Sequence, residues 1–289
     1  MKNYAPLYYK DFRCIADRCE HICCIGWRFS LDDATYEGYK SASGTYSQEL
    51  RDHLSCDEDG PYIPSDASGR CPHLDGRGLC RVISNCGEEY LCEICREHPR
   101  FYNSDGNRLE VGLGASCPEA ARLILEGPIS LELTPHDEGA KNEALSARAD
   151  IKEVIAECED YAECEKRIAK LAGIPAAVLS DGFRRDALCD LEYLNTEDRE
   201  LISEASDPTA DSEAMKRILS YFLYRHLNPE TESVEIASVI GFALFSTRSV
   251  GAAAAKVGFT EALRIYSAEI EYSPTNTEDI IFDIEFELA

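Results

Sequence analysis

Residues 14–27 read CIADRCEHICCIGW. Three further stretches continue the theme: CPHLDGRGLC at 71–80, CGEEYLCEICREHPRF at 86–101 and SCPEAARLIL at 116–125. With Cys56, these segments hold eleven of the 14 cysteines. Thiols at this density point to a metal, a cluster or disulfides. The opening MKNYAPLYYKDF has no apolar h-region, so the reading is a chain kept in the reducing cytoplasm. Lasting disulfides are uncommon there, and the chain is far longer than the small disulfide-stapled scaffolds. Thiolate ligation is therefore the expectation.

At 289 residues with 44% hydrophobic content, the chain can bury real cores. No run of about 18 apolar residues is present, so no membrane span is expected. The net charge is −25. Residues 1–127 carry 14 Lys+Arg against 21 Asp+Glu, and the remaining −18 falls on 128–289. Nucleic acid is an unsuitable partner for such a surface, which lacks the usual basic footprint. An acidic field of this kind serves solubility and also steers a lysine-bearing partner.

The sequence changes character near residue 128. Before it, LDDATYEGYKSA (31–42) reads as a short helix, 43–70 as loop, RLEVGLGAS (108–116) as a strand, and CPEAARLILEG (117–127) as a helix with Pro118 in its first turn. PISLELTP (128–135) reads as a short strand or extended linker. Beyond it Ala144, Ala147, Ile151, Val154, Cys158, Tyr161, Ile168 and Leu171 recur every three to four positions, one face of a long helix broken at most once. Helices are also predicted over 175–190, 196–205, 210–227, 232–247 and 259–271, with Asp211, Ser233 and Thr260 as N-caps. SVEIASVIGFALF (233–245) is apolar nearly all round and belongs in the middle of a bundle. In TEDIIFDIEFELA (277–289), Ile280, Phe282, Ile284, Phe286 and Leu288 alternate with charges, the pattern of a strand or a docking arm. No internal repeat stands out.

Thiolates select zinc, copper(I) or iron–sulfur clusters. Zinc sites usually pair two CxxC units, and Cys92-x-x-Cys95 is the one clean example here. The other spacings are irregular, which iron–sulfur clusters accept more readily; zinc stays open as the alternative. Adjacent Cys23 and Cys24 suit two centres, or one ligand beside one packed thiol. Cys158, Cys164 and Cys189, on helices of the second part, read as small hydrophobes.

The order CxxxxCxxxCCxGW, CPxLxxxGxC, GEEYLxxxCxxxPR, SCPEAARLIL resembles the flagellin lysine-N-methylase family, which shares its cysteine signature with YkgJ-type cysteine-cluster proteins. The match covers residues 4–127. The resemblance implies a protein-lysine N-methyltransferase, acting in the cytoplasm on lysine side chains of flagellin, with S-adenosylmethionine as methyl donor and an iron–sulfur cluster, most simply 4Fe-4S. It carries the family's cysteines onto Cys14, Cys19, Cys23, Cys24, Cys71, Cys80, Cys95 and Cys117. Cys56, Cys86 and Cys92 are extra to that pattern, and Cys92 reads as a spare thiol.

No catalytic residue can be named from the sequence. A Gly-rich donor loop of GxGxxG spacing is missing, Gly112-Leu-Gly114 being a weak substitute, and position 26 is Gly where a radical CxxxCxxC motif needs its third cysteine. For cofactor contact two candidates stand out. Trp27, after the CC pair, suits covering a cluster or filling core. Arg100, after Pro99, suits a donor carboxylate or an ion pair with Glu88 or Glu119. The fold expectation is a mainly α protein in two domains: an irregular Cys-rich, metal-ordered N-terminal domain (1–127) and an acidic helical domain (128–289). The non-enzymatic alternative is a zinc or iron–sulfur module supporting a partner-binding helical domain.

Overall fold

The computed structural model describes residues 2–21, 23–26, 28–127, 142–204 and 211–289. In chain order they form β1 (Lys2–Tyr4), β2 (Phe29–Ser30), α1 (Asp33–Ser41), α2 (Ser47–Asp52), β3 (Ser55–Asp57), β4 (Gly60–Ile63), α3 (Arg81–Cys86), α4 (Glu93–Glu97), β5 (Arg100–Ser104), β6 (Arg108–Leu113) and α5 (Pro118–Glu126). There follow α6 (Glu143–Glu157), α7 (Tyr161–Ala172), α8 (Asp181–Cys189), α9 (Thr196–Glu204), α10 (Ser212–His226), α11 (Ile236–Val257), α12 (Phe259–Tyr266) and α13 (Pro274–Leu288), with one π turn at Ser267–Glu271. The fold is mainly helical, as the periodicity required. Trp27 and the segment 128–135 lie outside the described residues.

The chain divides into two compact units, Cys14–His98 and Met1–Arg13 with Pro99–Ala289. Residues 99–127, grouped above with the Cys-rich part, cluster instead with the helices. The cause is a three-stranded sheet of order β1-β6-β5, with β1 parallel and β5 antiparallel to β6. Helix α10 holds that sheet through Tyr224, whose hydroxyl donates to the carbonyls of Val111 (3.1 Å) and Tyr4 (3.3 Å). Arg148 of α6 grips the buried Glu110 of β6. Strand alternation was visible in RLEVGL, but which helices it would pair with was not.

In the larger unit the core gathers around α11, whose residues are buried on nearly every side. By length and composition α11 could cross a membrane, but 83% of its apolar window is buried inside the fold, the condition of a core helix. The long periodic stretch breaks once, between α6 and α7, where Asp160 accepts from the Glu163 N–H to cap α7. Asp211 caps α10 as expected, accepting from the Ala214 N–H. Ser233 and Thr260 do not cap: α11 starts after Glu235 and α12 after Gly258, neither with a side-chain cap. Cys158 and Cys164 are buried as expected, whereas Cys189 is exposed.

The terminal alternation is a helix, not a strand. Pro274 occupies its first turn, Ser273 accepts from the Asn276 N–H, and buried Asn276 is tied to both the N–H and the carbonyl of Glu192. Ile280 and Ile284 are fully buried, with Ile281 and Leu288 packed beside them, while Phe282 and Phe286 stand 68% and 77% exposed. A spacing of four fits a period of 2 and a period of 3.6 equally, so alternation over this length misread the buried face.

The smaller unit has a thin core: Phe29, Leu31, Tyr39, Tyr46, Leu50, Ile63, Val82 and Cys92. Its sheet, β2-β4-β3, is antiparallel and short. Asp32 ties the unit together from both ends. Its carboxylate accepts from the Thr35 N–H (2.9 Å) at the start of α1, and from the Glu93 N–H (3.0 Å) at the start of α4, 61 residues away.

If α13 is a helix, Ile284→Ala will lower stability by about 2–5 kcal/mol, and Phe286→Ala will change it by less than about 0.5 kcal/mol. Urea unfolding decides. A docked strand burying alternate residues would make both substitutions costly.

Candidate functional site

Two turns of identical design carry thiols in the smaller unit. One is Asp66-Ala-Ser-Gly69-Arg-Cys71 and the other Asp75-Gly-Arg-Gly78-Leu-Cys80. In each, the aspartate Oδ1 accepts from the N–H groups two and four residues on: Ser68 (2.8 Å) and Arg70 (3.1 Å), then Arg77 (2.8 Å) and Leu79 (2.9 Å). In each, the aspartate N–H donates to the carbonyl four residues on, and the glycine N–H donates back to the aspartate carbonyl. Gly69 and Gly78 sit at φ +76° and +79°, a region in which a side chain is strained. The nine-residue offset of Asp, Gly and Cys was present in the sequence and went unread, because its meaning lies in the backbone bonds.

The two turns dock on their neighbours through main chain. The Cys71 N–H donates to the Cys24 carbonyl (2.9 Å) and the Gly26 N–H to the Gly69 carbonyl (3.0 Å), which seats the CC segment beside the first turn. Cys80 precedes α3 and Cys92 precedes α4, with Cys95 one turn further into α4. The sulfurs face backbone donors: Cys71 the N–H of His73, Cys80 those of Val82 and Ile83, Cys92 that of Cys95. N–H···S bonds of this kind support thiolates that ligate metals.

Cys24, Cys71, Cys80, Cys86 and Cys95 are all partly buried against the core that contains Cys92. Their charges feel one another. Burial, with the neighbouring thiols adding, pushes Cys71 up to about 11 and raises Cys80. Cys23 shares a sulfur hydrogen bond with Cys24 (4.0 Å), and Cys92 one with Cys95; each bond draws one thiol down to about 7 while its partner is pushed up. The donors are soft and uniform, which fits zinc or an iron–sulfur cluster chemically. Among the described residues, no three or more His, Cys, Asp or Glu stand close enough to hold a single ion.

The other expected ligands are placed differently. Cys14 is exposed, and the Cys19 thiol donates to the His21 carbonyl (2.8 Å). Cys117 lies in the larger unit, preceding α5, and packs with Phe12 and Leu113. Arg100, also in that unit, donates from Nε to the Tyr9 hydroxyl (3.0 Å) and lies over the rings of Tyr9 and Phe12. Glu119 instead takes a fork from Arg122.

A second polar centre, unread in the sequence, lies where β6 ends. Glu271, at the end of the π turn, accepts from the Tyr221 hydroxyl (2.9 Å), sits 2.8 Å from His226 Nε2 and pairs with Arg225 (3.4 Å). The Ala115 N–H and an Arg225 N–H both donate to the same Tyr221 oxygen (3.0 and 2.9 Å). Burial raises the Glu271 carboxyl, but Arg225 and His226 outweigh it and hold it at about 2. Burial also keeps His226 below its usual range. Around this knot Gly112, in β6, and Gly114, just after it, have a packing role: a Cβ on Gly114 would collide with the Tyr272 hydroxyl, and one on Gly112 with the Phe101 ring.

Comparison with known proteins places these observations. The chain is 30% identical over 135 residues to the lysine-N-methylases of Salmonella choleraesuis and Salmonella typhimurium; the match takes 45% of this chain and 34% of theirs. The chain thus spans about a third of the length of these curated relatives. It is also 30% identical over 134 residues to the flagellar biosynthetic protein FliU of Salmonella muenchen, covering 44% of this chain and 79% of FliU. No family model and no solved structure matches.

Removing the Glu271 charge leaves Arg225 buried without its counter-ion, so Glu271→Gln will cost about 3–5 kcal/mol at pH 7. Because folding lowers the Glu271 pKa to about 2, its stabilisation is complete above the ordinary carboxylate range and fades as pH falls toward 2. The gap between wild type and variant in urea unfolding should stay level from pH 7 to 5 and close below about pH 4. A gap unchanged down to pH 3 would show that the carboxylate charge is not what holds the knot.

Proposed function

The chain belongs to the lysine-N-methylase family that includes FliU, and from that membership we propose that it acts as a protein-lysine N-methyltransferase on flagellin lysine side chains. The methyl donor in this reading is S-adenosylmethionine, and residues 14–98 hold a Cys-ligated iron–sulfur cluster. The observation that supports it most is the pairing of this family membership with the packing of Cys24, Cys71, Cys80 and Cys95 on one small core, beside which Cys23 contacts Cys24.

The chemistry is simple to state. A neutral lysine amine attacks the methyl carbon of the sulfonium donor; a C–N bond forms as the S–C bond breaks, and the amine loses a proton. A bound cluster would supply an electron-accepting centre and order the segments that ligate it. Its ligands in this reading are the family's cysteine positions within residues 14–98, Cys14, Cys19, Cys23, Cys24, Cys71, Cys80 and Cys95, no three of which stand close enough in the described structure to hold one ion. The charge of −18 on residues 128–289 complements a lysine-bearing substrate. The competing reading, a zinc or iron–sulfur module without enzymatic activity, shares every structural feature named here and differs only in ignoring the donor.

Purification without oxygen, followed by metal, sulfide and visible-spectrum analysis, is the first test. About four irons and four sulfides per chain are expected, with transfer of a labelled methyl group from S-adenosylmethionine to flagellin. Cys95→Ser should release the metal and lose the transfer. Colourless protein with one or two zinc ions and no transfer would sink the enzymatic reading.

A further inference from the structure

We propose that the outward face of α13, where Phe282 and Phe286 stand in solvent between carboxylates, is a docking surface for a cationic amphipathic helix of a protein partner. The proposal goes beyond the methyl-transfer reading and does not depend on it.

Helix α13 buries Ile280 and Ile284 and turns Phe282 and Phe286 the opposite way. At a spacing of four the two rings are neighbours on one helical stripe. Single exposed apolar side chains are ordinary, but two large rings side by side facing water are not. At about 100° per residue, Glu278 and Glu285 fall on one side of the rings and Asp279 and Asp283 on the other. All four are exposed. The helix carries five carboxylates and no Lys, Arg or His, and the last cationic residue of the chain is Arg264. Among the described residues, Glu278, Asp279, Asp283 and Glu287 have no cationic partner. Burial, with the neighbouring Asp279 and Asp190 adding, raises the Asp283 carboxyl, so the rim lacks counter-charge. The helix itself is fixed. Buried Asn276 ties its start to Glu192, and the Ser238 hydroxyl donates to Glu285 (3.2 Å) near its end. The face is therefore presented ready-made, which lowers the ordering cost of binding.

Charge selects the occupant. A second copy of this chain would set carboxylates against carboxylates across the rings, and an anionic lipid surface or nucleic acid meets the same repulsion. A cationic amphipathic helix satisfies both features at once. Its apolar side chains cover the two rings, while its lysines or arginines reach the carboxylates on either side and lie over the ring faces. A ring pair at this spacing also supports its own helix, but that role predicts no binding at all.

The probe is a synthetic helix-forming peptide of about four turns, leucine on one face and lysine on the rest. The same peptide with glutamate for lysine is its control. Both are labelled and titrated by fluorescence anisotropy, with circular dichroism to check that each protein variant is folded. The lysine peptide should bind wild type and the glutamate peptide should not. The double variant Phe282→Ala, Phe286→Ala should bind at least about tenfold more weakly. Leu171→Ala, which removes an exposed apolar side chain of α7, should match wild type. The double variant Glu278→Gln, Asp279→Asn should bind more weakly, with a shallower dependence on salt. Equal binding by wild type and the double Phe variant would show attraction by net charge alone and overturns the proposal. So does failure of wild type to bind the lysine peptide at low salt. Wild type that self-associates in sedimentation, and loses this with the two Phe substitutions, assigns the face to a second copy and overturns the cationic partner.

A second measurement needs no variant. A benzophenone placed among the leucines of the lysine peptide should, on irradiation with wild type, attach to α13 at or beside Phe282 and Phe286. Attachment only to other elements overturns the proposal.

Discussion

Two aspartate side chains, Asp66 and Asp75, turn back on the amides that follow them, and the shape of the Cys-rich unit depends on those bonds. Among the described residues, the unit 14–98 buries only a handful of apolar side chains. A core of that size cannot offset the conformational entropy of so much irregular chain on its own. The deficit is met by local polar geometry: Asx turns at 66 and 75, a shared aspartate cap at 32, and main-chain bonds between the CC segment and the first turn. The result is that sulfur after sulfur is presented to a common region. Burial there raises Cys24, Cys71, Cys80, Cys86 and Cys95.

The larger unit is built by the opposite means. Its core is extensive and centred on α11, with several buried polar clusters set into it. Glu110 with Arg148, and Glu271 with Arg225, His226 and Tyr221, each join the small sheet or the loop after it to helices distant in sequence. Buried ion pairs of this kind add little net stability over hydrocarbon but are costly to break singly, so they fix which elements meet. That is why residues 99–127 pack with the helices despite the sulfur motif they end on. It is also why Gly112 and Gly114 are glycines: the Phe101 and Tyr272 side chains occupy the space of a Cβ.

Membership of the lysine-N-methylase family is the ground of the proposed methyl transfer, and the thiols packed on one small core are the ground of the proposed metal centre. The family order and the three-dimensional grouping do not coincide at every cysteine, however. Cys14 is exposed and Cys117 belongs to the other unit, while Cys92, outside the order, is buried in the core that Cys24, Cys71, Cys80, Cys86 and Cys95 pack against.

The sequence by itself determined the helical class, most helix positions beyond 142, the capping role of Asp211 and the buried place of SVIGFALF (238–245), the run SVEIA before it lying at or near the surface. Each of these follows from local periodicity, residue type or a short-range bond. Only the tertiary structure decided the rest. The buried face of α13 was undecidable from alternation, because Ile280 and Ile284 satisfy both periods and packing alone chose between them. The Asp66 and Asp75 turns were written in the chain as a nine-residue offset, yet their effect depends on backbone angles and hydrogen bonds that letters do not carry. The position of Cys92 among the other sulfurs, and the meeting of Glu271 with Tyr221 and Ala115, join residues from three to more than 150 positions apart. Proximity of that kind is a property of how elements pack, and a one-dimensional pattern holds no distance information beyond a few turns of chain.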